Sequence, residues 1–297
     1  MAPFGLSALN SLLGRGVNNT PWQPPEASWS RRFGLGWESP YTVRYASNLD
    51  DGPDHGMPLG GFGAGCLGRS PSGAFNLWNL DGGEHWFGSI PDCQFALWEQ
   101  QGEDVRAHAL ATAPDRDDTD PSGGTPLSAW QWYPASTQGR STGTYAARYP
   151  LSWTHHEDVY RAGVLCEAFS PILPGDYQRT SYPVAVFRWQ FSNPTDQPLE
   201  LSLMLCWRNT VGWFTNTDAA AEVHFRDDGS PEHNYAPAIG RGEGQRNRQV
   251  DQPGLSGVLL EGQSSVPLAE GEGQWCLALP DDLDGVQVMR CSRWDPS

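Results

Sequence analysis

Two adjacent segments of this chain alternate between apolar and polar side chains, and this pattern constrains the fold more than any other feature. In residues 184–191 one face is aromatic, and the opposite face carries Arg188 and Gln190. In residues 199–207 leucine recurs at every second position, and the segment ends at Trp207. Such alternation is typical of a β-strand with one face on a core. Because residues 193–198 (NPTDQP) favour a turn, the pattern predicts two antiparallel neighbouring strands.

Further segments predict shorter strands, and none shows an apolar stripe of helical period and length. The 34 glycines and 25 prolines in 297 residues supply the turns between them. Many short strands without intervening helices indicate an all-β fold, a large antiparallel β-sandwich with long loops. The additional strands are predicted at residues 74–80, 94–99, 105–109, 162–169, 258–260, 275–279 and 286–289.

The chain divides into an irregular lead-in at residues 1–40, where no strand-length pattern is evident, and a β-sandwich domain at residues 41–297. Residues 115–125 and 226–254 are rich in Gly, Pro, Asp and Asn, and are expected to be long surface loops. Residues 1–25 lack a sustained apolar stretch, so we expect neither a signal peptide nor a membrane span.

The formal net charge of −16 disfavours nucleic acid and anionic membranes as partners. The six cysteines are widely spaced and form no C-x-x-C pair, and most lie in apolar runs. That distribution suits buried thiols in a reducing compartment, so a cytoplasmic location is expected.

Residues 63–68 (GAGCLG) fit the G-x-G-x-x-G fingerprint of dinucleotide-binding proteins. That fingerprint works only between a strand and a helix, whose N-terminus holds the pyrophosphate. Here residues 69–73 (RSPSG) follow and form a turn, so nucleotide binding is not expected, and no cofactor is predicted. The glycines instead indicate a close backbone crossing, either within the sandwich or against a partner domain.

Three polar clusters contain residue types that occur in binding sites. Residues 155–158 (HHED) contain metal-ligand types, but adjacent strand residues point to opposite faces, so a solvated loop is the simpler interpretation. The acidic residues at 115–120 lack the glycine and closing glutamate of a calcium loop, so no metal site is predicted. Residues 78–86 (WNLDGGEHW) combine acids, His and Trp, and Glu84, His85 and Trp86 are candidate sugar-binding residues.

Two blocks resemble the non-lysosomal glucosylceramidases, the bile-acid β-glucosidase family, which is glycoside hydrolase family 116. Residues 57–99 contain its Pro-hydrophobe-Gly-Gly entry, glycine run, Arg and Gly-x-Phe-x-x-Trp strand. Residues 149–213 contain Tyr-Pro, Ser-Pro-Ile-x-Pro, Asn-Pro and the closing Trp-x-Asn-x-x-Gly-Trp, in the family's order. One departure is Leu77 before Trp78, where animal members carry Arg, and it weakens any inference about substrate choice.

The resemblance implies an N-terminal β-sandwich that packs against a C-terminal (α/α)6 barrel, in cis or in trans. The complete enzyme would hydrolyse β-glucosides such as glucosylceramide with retention, using a Glu nucleophile and an Asp acid/base in the barrel. No residue here matches the motifs around those carboxylates, so the chain alone is expected to lack the barrel and to be inactive. No catalytic residue is assigned.

A supporting role leaves the glycine run as the candidate interface with the barrel. Gly60, Gly61, Gly63 and Gly65 would form a tight loop there, and Arg69 would anchor it by a charge-assisted hydrogen bond. Two alternatives remain open from the sequence. One is a free-standing carbohydrate-binding module that uses exposed tryptophan, and the other is a docking subunit of a split glycosidase.

Overall fold

A computed structural model describes residues 22–35, 55–80, 85–114, 131–213, 222–225, 228–229, 231–234, 244–264, 272–283 and 285–292. These residues form β-strands joined by turns, together with one four-residue helix, α1. The predicted all-β class is confirmed. The elements, in chain order, are β1 (Trp29–Arg32), β2 (Met57–Leu59), β3 (Cys66–Arg69), β4 (Phe75–Asn79), β5 (Trp86–Phe87), β6 (Gln94–Gln101), β7 (Asp104–Ala109), β8 (Gln131–Trp132), β9 (Gly143–Arg148), β10 (Leu151–His156), β11 (Gly163–Phe169), α1 (Tyr177–Thr180), β12 (Val186–Ser192), β13 (Glu200–Cys206), β14 (Glu222–Phe225), β15 (Pro231–Asn234), β16 (Arg246–Gln252), β17 (Leu255–Glu261) and β18 (Gln274–Pro280).

The strands form several sheets that are antiparallel throughout, except for one short parallel pair between β7 and β8. A five-stranded sheet has the order β1-β9-β10-β11-β12, and a four-stranded sheet has the order β13-β6-β7-β8. Another four-stranded sheet runs β2-β3-β4-β5, and a three-stranded sheet runs β16-β17-β18. Strands β14 and β15 pair with each other.

The two strands that dominate the sequence pattern lie in different sheets. β12 pairs with β11 in the five-stranded sheet, whereas β13 pairs with β6 in the four-stranded sheet β13-β6-β7-β8. The prediction that they are antiparallel neighbours is therefore wrong. Alternation shows which face of a strand is buried, and two strands that face each other across a core satisfy it as well as two paired strands do.

Aromatic contacts across the core hold the two sheets together. On β6, Phe95 meets Phe187 and Trp189 of β12 at ring-centroid distances of 5.1 and 4.9 Å. The ring of Phe75 on β4 lies 5.7 Å from Phe187 in an edge-to-face arrangement. Edge-to-face geometry suits the quadrupoles of aromatic rings and adds to the gain from apolar burial. The layers therefore form a sandwich, as predicted.

Tryptophans form a second part of the core near the end of β4. The ring of Trp78 stacks on Trp213 at 5.6 Å and lies 5.7 Å from Trp207. Trp207 in turn contacts Trp275 of β18 at 5.7 Å, which attaches the three-stranded sheet to the sandwich. The tryptophans of this cluster thus serve as packing material.

Several predicted boundaries differ from the structure. Residues 286–289, predicted as a strand, are not one, and β1 lies inside the lead-in where no strand was expected. The segment 226–254 is not a single loop, because β15 and β16 lie within it. The other predicted strands are confirmed to within a few residues. The predicted loop at 115–125 lies outside the described residues.

Candidate functional site

The glycine run connects β2 to β3 as a tight loop that crosses a second loop of the same domain. The amide of Gly60 donates to Ser170 Oγ at 2.7 Å, and the amide of Phe62 donates to the carbonyl of Thr180 at 2.9 Å. A Cβ on Gly61 would lie 2.6 Å from the carbonyl oxygen of Tyr182, closer than side chains approach backbone. The close crossing predicted from the glycines is therefore present, and it lies within the sandwich.

The two remaining glycines of the loop, Gly63 and Gly65, both have a positive φ. Gly65 has a φ of +80°, and a Cβ there would lie 2.5 Å from the carbonyl oxygen of Asn79. Gly63, at φ +73°, sits at the tip of the loop, where a Cβ would meet no other atom. Both conformations are left-handed, which glycine adopts without steric cost. The loop leads into strand β3, whereas a dinucleotide fold requires a helix at that point.

Arg69, predicted to anchor this loop, points into the core. Its guanidinium donates to the carbonyls of Gly73 (2.9 Å) and Leu110 (2.8 Å) and to Thr154 Oγ1 (3.2 Å). The rings of Phe95 and Trp189 lie 5.7 Å from it. Burial lowers the pKa of this guanidinium, because the charged form loses its hydration. Arg69 therefore joins β3 to β10 and to the end of β7, and stabilises the loop only through the strand it belongs to.

The three candidate sugar-binding residues are placed unequally. Glu84 lies outside the described residues. His85 stacks on Phe87 at 6.0 Å, and Trp86 packs against Trp78 and Trp213 at the edge of the tryptophan core. A sugar contact by these residues stays a prediction, and for Trp86 the packing role is already evident.

The solvated loop expected at residues 155–158 is wrong for the two histidines, because both lie on β10 and point to opposite faces of the sheet. His155 bonds Glu157 through Nδ1 at 2.9 Å on the outer side. His156 lies in the core between Phe33, Tyr133 and Trp189, and neither of its ring nitrogens has a hydrogen-bond partner. Burial holds its pKa well below the usual range, with smaller contributions from nearby Arg69 and His155. Among the described residues, no group of three His, Cys, Asp or Glu side chains is arranged to hold a metal ion.

Three glutamates are buried in the described structure, and each is bonded to a neighbouring segment of the chain. Glu99 accepts hydrogen bonds from the amides of Arg161 and Ala162. Glu167 pairs with Arg188 on the neighbouring strand. The carboxylate of Glu261 lies between the guanidiniums of two arginines of β16 and the amide of Gln274. These carboxylates act as structural anchors, within a sheet for Glu167 and Glu261 and between two sheets for Glu99.

The segment from Trp207 to Trp213 joins the sandwich to the three-stranded sheet, a role that the sequence did not indicate. The guanidinium of Arg208 binds Asp92 through Nε at 2.9 Å and Nη2 at 2.5 Å. The side-chain amide of Asn209 donates to the carbonyl of Glu261 and to Asn247 Oδ1, both at 3.0 Å. In the sequence this segment is marked by the Trp-x-Asn-x-x-Gly-Trp spacing. The role of Asn209 in that motif becomes evident only from its bonds to β16 and β17.

The part of the chain that the structure describes contains no helix that is long and apolar enough to cross a membrane. A family model described as β-glucosidase 2, glycosyl-hydrolase family 116 N-term, matches residues 56–297. That span includes the glycine loop, the tryptophan core and the Trp207–Trp213 junction. The chain therefore belongs to the family of N-terminal domains of β-glucosidase 2 in glycosyl-hydrolase family 116.

Proposed function

We propose that this chain is the non-catalytic sandwich of a retaining β-glucosidase, and that it supports a helical catalytic domain encoded in cis or in trans. The family match supports the kind of enzyme. The proposed supporting role rests on how the three buried glutamates are bonded. Glu99, Glu167 and Glu261 are each bonded to backbone amides or to arginine. A retaining glycosidase needs two carboxyl groups about 5 Å apart that flank the sugar.

The glycine loop is the part of the domain that we assign to contact with the catalytic domain. Gly60, Gly61 and Gly65 fix its backbone against the sandwich, and Arg69 secures the strand that follows. The tip at Gly63 is open, so it can approach another domain closely. The complete enzyme would act on β-glucosides, glucosylceramide among them.

A cytoplasmic location completes the proposal. All six cysteines fall within the described residues, and each is a thiol. Cys93 and Cys166 are buried in the sandwich, where a disulfide partner is not needed for stability. A reducing compartment keeps such thiols intact.

The carbohydrate-binding alternative depends on exposed tryptophan rings. Among the described residues Trp29, at 37% exposure, is the only tryptophan that ranks with the exposed large apolar side chains. Trp78 and Trp213 are buried in the core, and their neighbours are half-buried. The tryptophans that the structure describes therefore give this alternative little support.

The test is hydrolysis of an aryl β-glucoside by the purified chain. We expect no turnover above buffer from the chain alone, and turnover when the helical domain encoded in the same genome is co-expressed with it. Turnover by the isolated chain that a single Asp or Glu substitution abolishes would overturn the assignment, because it would place an essential carboxylate here.

A further inference from the structure

One exposed apolar surface surrounds the glycine loop. It consists of two aromatic side chains with most of their area in solvent, Phe62 (66%) and Tyr177 (75%), and three neighbours that are about two-fifths exposed. These neighbours are Leu173, Tyr182 and Val184. We call these five side chains the loop-62 surface. Four of them lie within residues 173–184, and the fold brings Phe62 beside them through the hydrogen bond from its amide to the carbonyl of Thr180.

A buried hydrogen-bonded hub holds the loop-62 surface in place. Thr180 accepts the amide of Phe62 on its carbonyl, and its hydroxyl bonds the amide and the carbonyl of Leu173 at 2.9 and 3.1 Å. Ser170 accepts the amide of Gly60 and donates to the carbonyl of Val184 at 2.8 Å. The exposed rings are thus mounted on backbone that is already fixed, which lowers the entropy cost of binding.

The surface is also uncharged, which is unusual for this chain. Residues 60–65, 170–175 and 180–186 contain no Asp, Glu, Lys or Arg. The only nearby charges in residues 170–186 are Asp176 and Arg179, and these form an ion pair with each other. On a chain of net charge −16, a neutral surface with aromatic anchors is typical of the desolvated centre of a protein interface.

We infer that the loop-62 surface is the docking site for the helical catalytic domain, with Phe62 and Tyr177 as its anchors. This inference rests on the proposed function. A second copy of this chain is a less favourable partner than that domain, because two chains that each carry a net charge of −16 repel each other. The glycine loop follows from the same contact, since Gly61 lets Phe62 sit directly above the second loop.

The experiment measures binding between the purified chain and the helical domain encoded in the same genome, produced as a separate polypeptide, by sedimentation velocity. The wild-type chain should bind, and Phe62→Ser/Tyr177→Ser should bind at least about 30-fold more weakly, as loss of two anchors predicts. Val105→Ser/Leu255→Ser, which changes exposed residues on β7 and β17, should bind like the wild type. The single variant Tyr177→Asp provides a second test if the double variant fails to fold.

The outcomes separate the two proposals. If the wild-type chain does not bind the helical domain, or the genome encodes none, the proposed function fails and the docking site fails with it. If the wild type binds and the loop-62 variants bind equally well, only the docking site is wrong. A wild-type dimer that Phe62→Ser/Tyr177→Ser dissolves would show that the surface binds a second copy, and would overturn the choice of partner.

Discussion

The carboxylate of Glu99 on β6 accepts a hydrogen bond from the backbone amide of Ala162 at 2.8 Å. This bond joins the sheet β13-β6-β7-β8 to the chain that enters β11 of the five-stranded sheet. The amide of Arg161 points at both oxygens of the same carboxylate, at 2.9 and 3.0 Å. Glu99 is fully buried, so water cannot replace these bonds. The two sheets are therefore joined by a charged acceptor as well as by aromatic packing.

Replacing this acceptor tests its contribution to stability. We expect Glu99→Gln to lower the free energy of unfolding by about 3 kcal/mol, because a buried carboxylate exchanged for an amide weakens charge-assisted bonds and sets an N–H against an N–H. Urea unfolding measures it. Glu103→Gln, a similar change at an exposed position, should alter stability by less than about 0.5 kcal/mol. Equal effects from the two variants would show that Glu99 is not a structural anchor.

Arg69 and Arg32 offer a matched pair, since both donate to backbone carbonyls, one in the core and one in solvent. Arg69→Lys should destabilise the protein by about 2–4 kcal/mol, because an ammonium group cannot reach all three acceptors and leaves buried groups unpaired. Arg32→Lys should cost less than about 0.5 kcal/mol. Thermal and urea unfolding would check this, and a small effect at Arg69 would contradict the buried geometry.

His156 should make stability depend on pH. Its folded-state pKa is lowered by burial, so the folded protein binds fewer protons than the unfolded chain, whose histidine titrates near pH 6.5. Stability is therefore full above about pH 6.5 and falls as the pH drops, by up to roughly 1.4 kcal/mol per pH unit from this group. His156→Phe, which suits the surrounding rings, should have a shallower slope between pH 6.5 and 5. Equal slopes for variant and wild type would contradict this.

Gly61 and Gly139 separate close approach from general glycine effects. Gly61→Ala should push the glycine loop away from Tyr182 and cost about 1–3 kcal/mol, because its Cβ would lie 2.6 Å from a backbone oxygen. Gly139→Ala, where a Cβ meets no atom within 4 Å, should leave stability nearly unchanged. Chemical unfolding of both variants measures the difference. A neutral Gly61→Ala would show that the two loops do not touch.

The cysteines should differ sharply in reactivity. Cys276 and Cys291 are exposed, whereas burial raises the pKa of Cys166 to about 12 and that of Cys206 to about 11. Thiolate is the reactive form, so a disulfide reagent should label the exposed pair quickly, the half-buried Cys206 slowly, and the buried Cys166 only on unfolding. Cys276→Ser should remove part of the fast phase. Loss of a fast phase in Cys166→Ser would contradict the burial.

The sequence showed the strands well where a strand buries one face. β12 and β13 are confirmed as strands because the aromatic and leucine faces repeat every second residue. β16 was missed because it lies at the edge of its sheet and is mostly polar. Its Arg248 binds Glu261, and Gln249 donates to the carbonyl of Arg290. The strand predicted at residues 286–289 is wrong for the opposite reason. The chain beside it is held by side-chain hydrogen bonds, such as the one from Gln249 to the carbonyl of Arg290, and not by strand pairing.

The site could be predicted only in part. The glycines indicated a close crossing, but the hub residues Ser170 and Thr180 could not be chosen, because Ser170 lies 110 residues from the Gly60 amide that it accepts. The predicted pairing of β12 with β13 is wrong for the same physical reason. Local alternation decides which way a side chain points, whereas the partner of a strand depends on contacts between distant segments.

The bond between Gln245 and Val211 has a consequence for how this domain tolerates change. The side-chain amide of Gln245 donates to the carbonyl of Val211 at 2.8 Å, so the chain returns at residue 245 beside the Trp207–Trp213 junction. The bond ties together the two ends of the segment that contains β14 and β15. Closing a longer segment costs little extra entropy, so a reporter peptide or a small protein inserted between β14 and β15 should leave the sandwich folded.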